Sequence, residues 1–405
     1  MSHIENVSGL STQIDGALWQ RIVCRWADAI TIGRITLRFP DGQTYTAAGE
    51  KPGPAAALRF NTGRGFMQIL SGGSTGFAKA YLDGHVDTPD LDAIMELALA
   101  NENRWQNVLD TSKLVSRLDF IRHRLRRNSR SGSRRNIAYH YDLGNAFYRL
   151  WLDDTMTYSS ALYEDGQTDL EQAQIAKYDR ILERLGIGPD DRVLEIGCGW
   201  GGFAEHAIRK TGCHVTGLTL STEQADYARA RLSDAGLSQK ADIRLQDYRD
   251  CQGRFTKIVS IEMFEAVGEE NWPLYFSRVR DLLVEDGRAL LQVITIDETR
   301  FDHYRRNADF IQKYIFPGGM LPSPAAFINA AGTAGMAVVD ELRFGPDYAT
   351  TLAEWETRFR ASWEKIEALG FDERFYRMWL YYLAYCRTGF RTGRIDVVQF
   401  ELVKP

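Results

Sequence analysis

Cysteine is scarce in this 405-residue chain. Its five copies, Cys24, Cys198, Cys213, Cys251 and Cys386, are scattered, odd in number and without C-x-x-C spacing. That pattern excludes a disulfide framework and a cysteine zinc site, and it fits a reducing cytosol. His140 aside, the other six histidines do not cluster with acids at metal-ligand spacing, so no catalytic metal is expected. No stretch approaches 18 consecutive apolar residues, which excludes a spanning helix. The polar N-terminus, Met1 to Asp15, lacks the positive-then-apolar pattern of a signal peptide. Internal repeats and low-complexity tracts are absent, and a net charge of −5 excludes a general polyanion binder. What remains is an ordinary soluble composition, 44% hydrophobic and 25% charged. The length exceeds one average domain, so two are expected.

One stretch organises the rest. Val193-Leu194-Glu195-Ile196 reads as a buried parallel strand, Gly197-Cys198-Gly199-Trp200-Gly201-Gly202 as a tight turn, and Phe203 to Lys210 as a helix. Glycine suits such a turn because a backbone without side chains can pass under a ligand with φ > 0. Gly197, Gly199 and Gly202 satisfy G-x-G-x-x-G, which could cradle a dinucleotide pyrophosphate. A nicotinamide site would want an acid about 20 residues later, at the end of the next strand. That strand, His214 to Leu220, ends in Leu218-Thr219-Leu220-Ser221 and carries none. The composite E-I-G-C-G-W-G-G is instead similar to the S-adenosylmethionine (SAM) loop of class I methyltransferases.

Residues 1–105 read as a small α+β accessory domain. A helix is predicted over 16–30, a hairpin from Ile35–Phe39 and Thr44–Thr46, and a strand over Ala56–Phe60. A helix from Arg64 to Ser71 is broken by Gly72–Gly76, and another follows over Leu91–Asn101. No catalytic constellation is visible there, so a structural or substrate-gating role is expected. Residues 106–136 differ in kind. From Lys113 to Arg135 nine Lys/Arg meet one acid, Asp119, with Leu114, Val115, Leu118, Ile121 and Leu125 at approximate helical spacing. Such a basic amphipathic helix suits an anionic membrane surface, at about 1 kcal/mol per basic residue. A solvated interdomain helix fits equally. Nucleic acid is not expected, because no aromatic interleaving or DNA-binding motif accompanies the charge.

From 137 to 405 strands and helices alternate: strands near 192–196, 214–220, 242–246, 257–261 and 288–296, with helices over 202–211, 222–236 and 271–284. This predicts a doubly wound α/β sheet whose ligands sit beyond the carboxyl ends of its strands. After a strand at Ala337–Phe344, helices are expected over 352–367 and 372–390, and Val397–Leu402 as the closing edge strand.

Eight ordered motifs carry a resemblance: Tyr139–Asn145, Met156–Ala161, Val193–Gly202, Gly217–Gln224, Leu245–Asp250, Met263–Gly268, Tyr314–Gly319 and Gly345–Thr351. Through them residues 137–403 resemble the cyclopropane fatty acid synthase family, relatives of the mycolic acid cyclopropane synthases. The resemblance implies a class I (Rossmann-like) methyltransferase domain. It would add a methylene carbon from SAM across the cis double bond of an unsaturated phospholipid acyl chain. It also implies Tyr158 and Ser159 over the methionine end of SAM, Gly197 and Gly199 beneath it, Thr219 and Gln224 on the ribose side, and Gln246 beside the adenine.

For the final proton removal the resemblance implies a bound bicarbonate, held by a cysteine, a glutamate, a histidine, a backbone group and a tyrosine. The glutamate matches Glu265, the tyrosine Tyr348 and the backbone position Ile294. Ser160 stands at the cysteine position and Gln292 at the histidine position; both can donate to an anion, and neither titrates as the family residue does. A second carboxylate, Glu262, lies close by in Ser-Ile-Glu-Met-Phe-Glu and could supply a protein base. Ring formation is the expected outcome, with a methyl- or methylene-branched chain as the alternative. A methyltransferase acting on a soluble small molecule, or a lipid-binding adaptor with an inactive core, are the other readings. Cys198 reads as a small buried filler, Trp200 as helix packing or a ligand contact, and His140 as a core residue or part of the site mouth. The expected partner is unsaturated phospholipid in an anionic bilayer, met peripherally at the inner face of the membrane by a cytoplasmic protein through Lys113–Arg135. A homodimer is left open.

Overall fold

The computed structural model describes residues 16–109, 143–164 and 166–405. The basic segment Lys113–Arg135, and Tyr139–Asp142 with His140, lie outside the described residues. Two compact units emerge, Met1–Leu118 with Asp372–Thr388, and Asp119–Phe371 with Gly389–Pro405.

In the first unit the expected hairpin forms from β1 (Ile32–Arg38) and β2 (Thr44–Ala48), with Thr36 opposite Thr46. Strand β3 (Lys51–Phe60) runs parallel to β1, and the two-residue β4 (Val86–Asp87) lies antiparallel to β3. Alternation buries Ile35, Leu37, Tyr45, Leu58 and Phe60 on the core side of the sheet. There Trp19, from the helix Leu18–Ala27, meets Phe39 and Phe60 at 5.6 Å each. The expected break at Gly72–Gly76 forms: the helical run Gly63–Leu82 is two helices joined across a kink at Gly73, whose φ 54° and ψ −129° lie outside helical geometry.

The helix expected over 372–390 forms as Glu373–Arg391, and Asp372–Thr388 belongs to this first unit. Arg377 explains why. Its guanidinium donates to the Val86 carbonyl at 2.8 Å and the Asp87 carboxylate at 2.6 Å, and lies over the Tyr81 ring. Arg387 adds a charged pair with Asp92.

The second unit is built on seven strands. They are β5 (Arg192–Ile196), β6 (His214–Thr219), β7 (Ala241–Leu245), β8 (Phe255–Ile261), β9 (Leu283–Ile296), β10 (Ala337–Arg343) and β11 (Ile395–Val403), in the order β10-β11-β9-β8-β5-β6-β7. Strands β5 to β9 are parallel, and β11 is antiparallel to both β9 and β10. The closing strand is therefore not an edge: β11 inserts beside β9, and β10 takes the edge. Burial accounts for this. Val397, Val398, Phe400 and Leu402 are fully buried, so β11 needs cover on both sides, whereas β10 alternates partly buried and exposed residues.

The sheet is apolar on both faces. Leu194 and Ile196 join Phe264, Trp272, Phe276, Phe327 and Phe400 on one side. Val193 joins Tyr178, Phe203, Ala207, Ala225 and Leu232 on the other, from the helices Leu170–Leu185, Gly202–Thr211 and Thr222–Asp234. By the period of two, Glu195 shares the face of Val193, and it is 3% exposed. The chain leaves β5 toward β6 and β7, then crosses back to β8 and β9, so the carboxyl end of β5 is the topological switch point. Among the described residues no helix is long and apolar enough to cross a membrane.

Candidate active site

At the switch point the backbone N–H groups of Gly197 and Cys198 both donate to the Leu218 carbonyl at 2.9 Å, tying the loop to β6. Gly197 has φ 88°, and a Cβ there would meet Met263 Cγ at 2.9 Å. At Gly202 it would meet the Thr155 carbonyl at 2.9 Å, whereas beside Gly199 (φ 51°) nothing lies within 4 Å. Two of these glycines allow close packing, and the third leaves an open cradle. Cys198 is buried, and burial pushes its thiol well up, which disfavours the thiolate. Trp200 is buried and donates to Asn145 Oδ1 at 2.6 Å.

Beyond β6, Ser221 caps the helix Thr222–Asp234 by accepting from the Gln224 N–H. Thr219 Oγ1 donates to Gln224 Oε1 at 2.8 Å, which makes Thr219 and Gln224 one buried polar pair with no acid in it. Gln246 is placed beside them by its backbone N–H, which donates to the Thr219 carbonyl at 3.0 Å, but its side chain turns to the Asp250 carbonyl. The Tyr158 ring stands among Trp355, Tyr148 and Trp151, with centroids 5.2, 5.5 and 5.5 Å away. Ser159 is buried; its carbonyl accepts from Gln174 at 2.9 Å and its hydroxyl from Lys177 at 2.7 Å. Glu195 Oε2 is buried without a hydrogen-bond partner among the described residues, and burial raises its carboxyl to about 8 despite the nearby Lys177 charge. An open glycine turn, an orphaned buried acid and a threonine–glutamine pair fit SAM, which carries an ammonium, a sulfonium and a ribose.

A second constellation centres on Glu262, just beyond β8. Its carboxylate accepts from three donors: the Ser160 backbone N–H at 2.8 Å, Gln292 Nε2 at 2.7 Å and the Tyr348 hydroxyl at 2.7 Å. The serine contributes its backbone, not the hydroxyl that the sequence suggested, which donates to the Ala161 carbonyl at 2.9 Å. The Ile294 N–H donates instead to Glu265 Oε1 at 2.5 Å, while Glu265 Oε2 is buried and lacks a partner among the described residues. Burial raises the Glu262 carboxyl, and Tyr348, the Lys177 charge, the Ser160 N–H and Gln292 pull it back down. Burial, with the charge of Glu262 beside it, pushes Glu265 up to about 8. The positions expected to hold bicarbonate are thus occupied by a protein carboxylate. The Ser160 N–H, Gln292 and Tyr348 already donate to Glu262, and the Ser160 hydroxyl to the Ala161 carbonyl, so this donor set does not fit a bound bicarbonate.

Sequence reasoning missed several members of this site. Lys177 is fully buried; it donates to Ser159 Oγ and to Gln174 Oε1 at 2.6 Å, and burial lowers its ammonium to about 7. Its signal was available: Leu170, Ala173, Gln174, Lys177, Tyr178 and Ile181 form the inward stripe of their helix, with two polar residues where apolar ones belong. Gln399 likewise interrupts the apolar strand β11 at a position 1% exposed.

The family model for mycolic acid cyclopropane synthetase matches residues 128–400. A tuberculostearic acid methyltransferase of Mycobacterium tuberculosis is 38% identical over 385 residues, covering 91% of this chain and 88% of that protein. The cyclopropane-fatty-acyl-phospholipid synthase of Escherichia coli K12 is 37% identical over 375 residues, covering 89% and 93%. The crystal structure of a mycolic acid cyclopropane synthase complexed with SAH and CTAB superposes with a TM-score of 0.63 at 36% identity, covering 66% of this chain and 97% of that one. With its glycine cradle and doubly wound sheet, the chain belongs to the mycolic acid cyclopropane synthetase family and is a SAM-dependent methyltransferase.

Proposed function

We propose that this protein transfers a one-carbon unit from SAM to the cis double bond of unsaturated fatty-acyl chains in membrane phospholipids. The observation that carries the reading is Glu262, a half-buried residue whose carboxylate is held by three donors among residues that match the family's motifs. Bound SAM supplies an electrophilic methyl group on a positively charged sulfur. An alkene is a poor nucleophile, so the protein must hold it dry and in line with that methyl. The alkene π pair bonds the methyl carbon while the carbon–sulfur pair leaves with sulfur. The resulting carbocation is stabilised by aromatic faces, for which Tyr158, Trp355 and Tyr348 are available, with ring centroids 5.2 and 6.0 Å apart along that series. Glu262 then takes a proton, and the released C–H pair closes the cyclopropane ring. Glu265, protonated at neutral pH, serves as a neutral neighbour that leaves the charge on Glu262.

An open-chain product is the second reading, and it turns on which proton the base reaches. Glu262 is fixed to the backbone, so it removes whichever proton lies within its reach. A proton taken from a neighbouring chain carbon leaves a double bond and a methyl branch, with no ring. The relative named a tuberculostearic acid methyltransferase is in keeping with this outcome. The reading also includes peripheral association of a cytoplasmic protein with the inner face of an anionic bilayer, supported by the nine basic residues of Lys113–Arg135.

The test is to incubate the protein with SAM and vesicles of cis-unsaturated phospholipid, then analyse the fatty acids by mass spectrometry with a chemical assay for unsaturation. A one-carbon gain with the double bond consumed and a ring present means a cyclopropane synthase. The same gain with unsaturation retained means the branched product. No gain by a protein that binds SAM would overturn the lipid reading.

A further inference from the structure

We infer that Arg180 and Gln399 are positioning residues for this reaction, together holding the Gln292 amide with its N–H turned toward Glu262. The inference rests on the reading of Glu262 as the base.

Three segments distant in the chain meet here. Gln399 on β11 stands directly opposite Gln292 on β9, and both are buried. Gln399 Nε2 donates to Gln292 Oε1 at 3.0 Å, and Arg180 Nη1 donates to Gln399 Oε1 at 2.8 Å. Gln292 Nε2 in turn donates to Glu262 Oε1 at 2.7 Å.

A primary amide can present either of two chemically opposite ends. In this chain of contacts no choice remains. A guanidinium only donates, so Gln399 must turn its oxygen to Arg180 and its NH2 to Gln292. Gln292 must then turn its oxygen to Gln399 and its NH2 to Glu262. Reversing Gln399 would set NH2 against the guanidinium and oxygen against oxygen, and reversing Gln292 would set NH2 against NH2 and oxygen against carboxylate, in a dry interior where lost hydrogen bonds are costly. The polarity of a side chain 20% exposed is thus carried through two amides to the Glu262 carboxylate.

Asp340 lies at the outer end, 3.2 Å from Arg180 and 3.1 Å from Arg184. The titratable groups that act on Glu262 itself are Lys177, from the helix Leu170–Leu185, Tyr348, from the helix Gly345–Ala361, and Glu265 on its own loop. None of these orients Gln292.

The pH dependence of turnover at saturating SAM reads the relay. Glu262 must be ionised to act, so turnover falls on the acid side as it takes up a proton. Gln399→Leu and Arg180→Met release the Gln292 amide to flip, and each should move the acid limb up by about one pH unit. Turnover at high pH and SAM affinity should stay near native. Arg180→Lys keeps an obligate donor and should restore the native limb. Asp340→Asn removes the ion pair but not the relay, and should leave the limb in place. Should Gln399→Leu fail to fold, Arg180→Met, at a partly exposed helix position, carries the test.

Residues that merely brace the fold would lower turnover equally at every pH, and an unmoved limb in the variants overturns the relay. Glu262→Gln assayed alongside separates the two readings. If it is inactive while the limbs stay put, the relay alone falls. If it turns over at the native rate, the base reading falls and the relay with it.

Discussion

Glu262 is a non-glycine residue at φ 50°, a conformation that costs a side chain roughly 1–3 kcal/mol. Its three hydrogen bonds repay that strain, and its removal makes a sharp test. Glu262→Gly relieves the backbone and leaves the Ser160 N–H, Gln292 and Tyr348 facing a gap of carboxylate size. Turnover should fall by about a hundredfold or more, and added formate or bicarbonate should restore part of it. A variant that binds SAM but cannot be rescued would contradict the assignment of those donors to an anion position. Glu265→Gln should likewise keep SAM binding and lose turnover; retained turnover would remove Glu265 from the mechanism. Glu195 gives a stability prediction. Its folded carboxyl titrates at about 8, above the ordinary 4.5, so the folded state binds the extra proton between those values. The stability it contributes is present below 4.5 and lost as pH rises through about 8. Thermal unfolding of the SAM-free protein should therefore decline less steeply across that window in Glu195→Gln. Equal slopes would show that Glu195 titrates normally.

At the scale of elements, the glycine turn is constrained by packing as well as by ligand. Gly197→Ala would require φ 88° and would set its Cβ 2.9 Å from Met263 Cγ. It should destabilise the protein by about 1–3 kcal/mol and weaken SAM binding, both measurable by thermal shift with and without SAM. Gly236→Ala is the control, since φ is 72° there but nothing lies within 4 Å. This turn, its strand and the following helix were legible because glycine spacing and an apolar run are local signals. The position of β11 was not, because strand order is set by which neighbour can cover both faces of Val397–Leu402. The carboxylate centre was legible only as a set of residues. Ser160, Glu262, Gln292 and Tyr348 could be named from motifs, yet their convergence on Glu262 depends on a backbone turn at φ 50° and on strands paired across the sheet. Gln399 carried no motif, only polarity at a position where a buried strand should be apolar, and Arg180, at a partly exposed helix position, carried no signal at all.

For the whole molecule, a formal charge of −5 coexists with a segment of nine basic residues and one acid, so attraction to an anionic bilayer has to be local. Binding to vesicles containing anionic lipid should weaken as salt rises, and neutral vesicles should bind less. Binding indifferent to both would remove Lys113–Arg135 from the membrane contact. The central claim is that a one-carbon transfer to lipid acyl chains ends on a base built into the protein. Turnover of cis-unsaturated phospholipid vesicles with SAM in bicarbonate-depleted buffer, by the native protein and by Glu262→Gln, tests it most directly. The account predicts full native turnover that added bicarbonate does not raise, and a Glu262→Gln protein that binds SAM without forming product. A native protein that stays idle until bicarbonate is supplied, or a Glu262→Gln protein that works at the native rate, would contradict it.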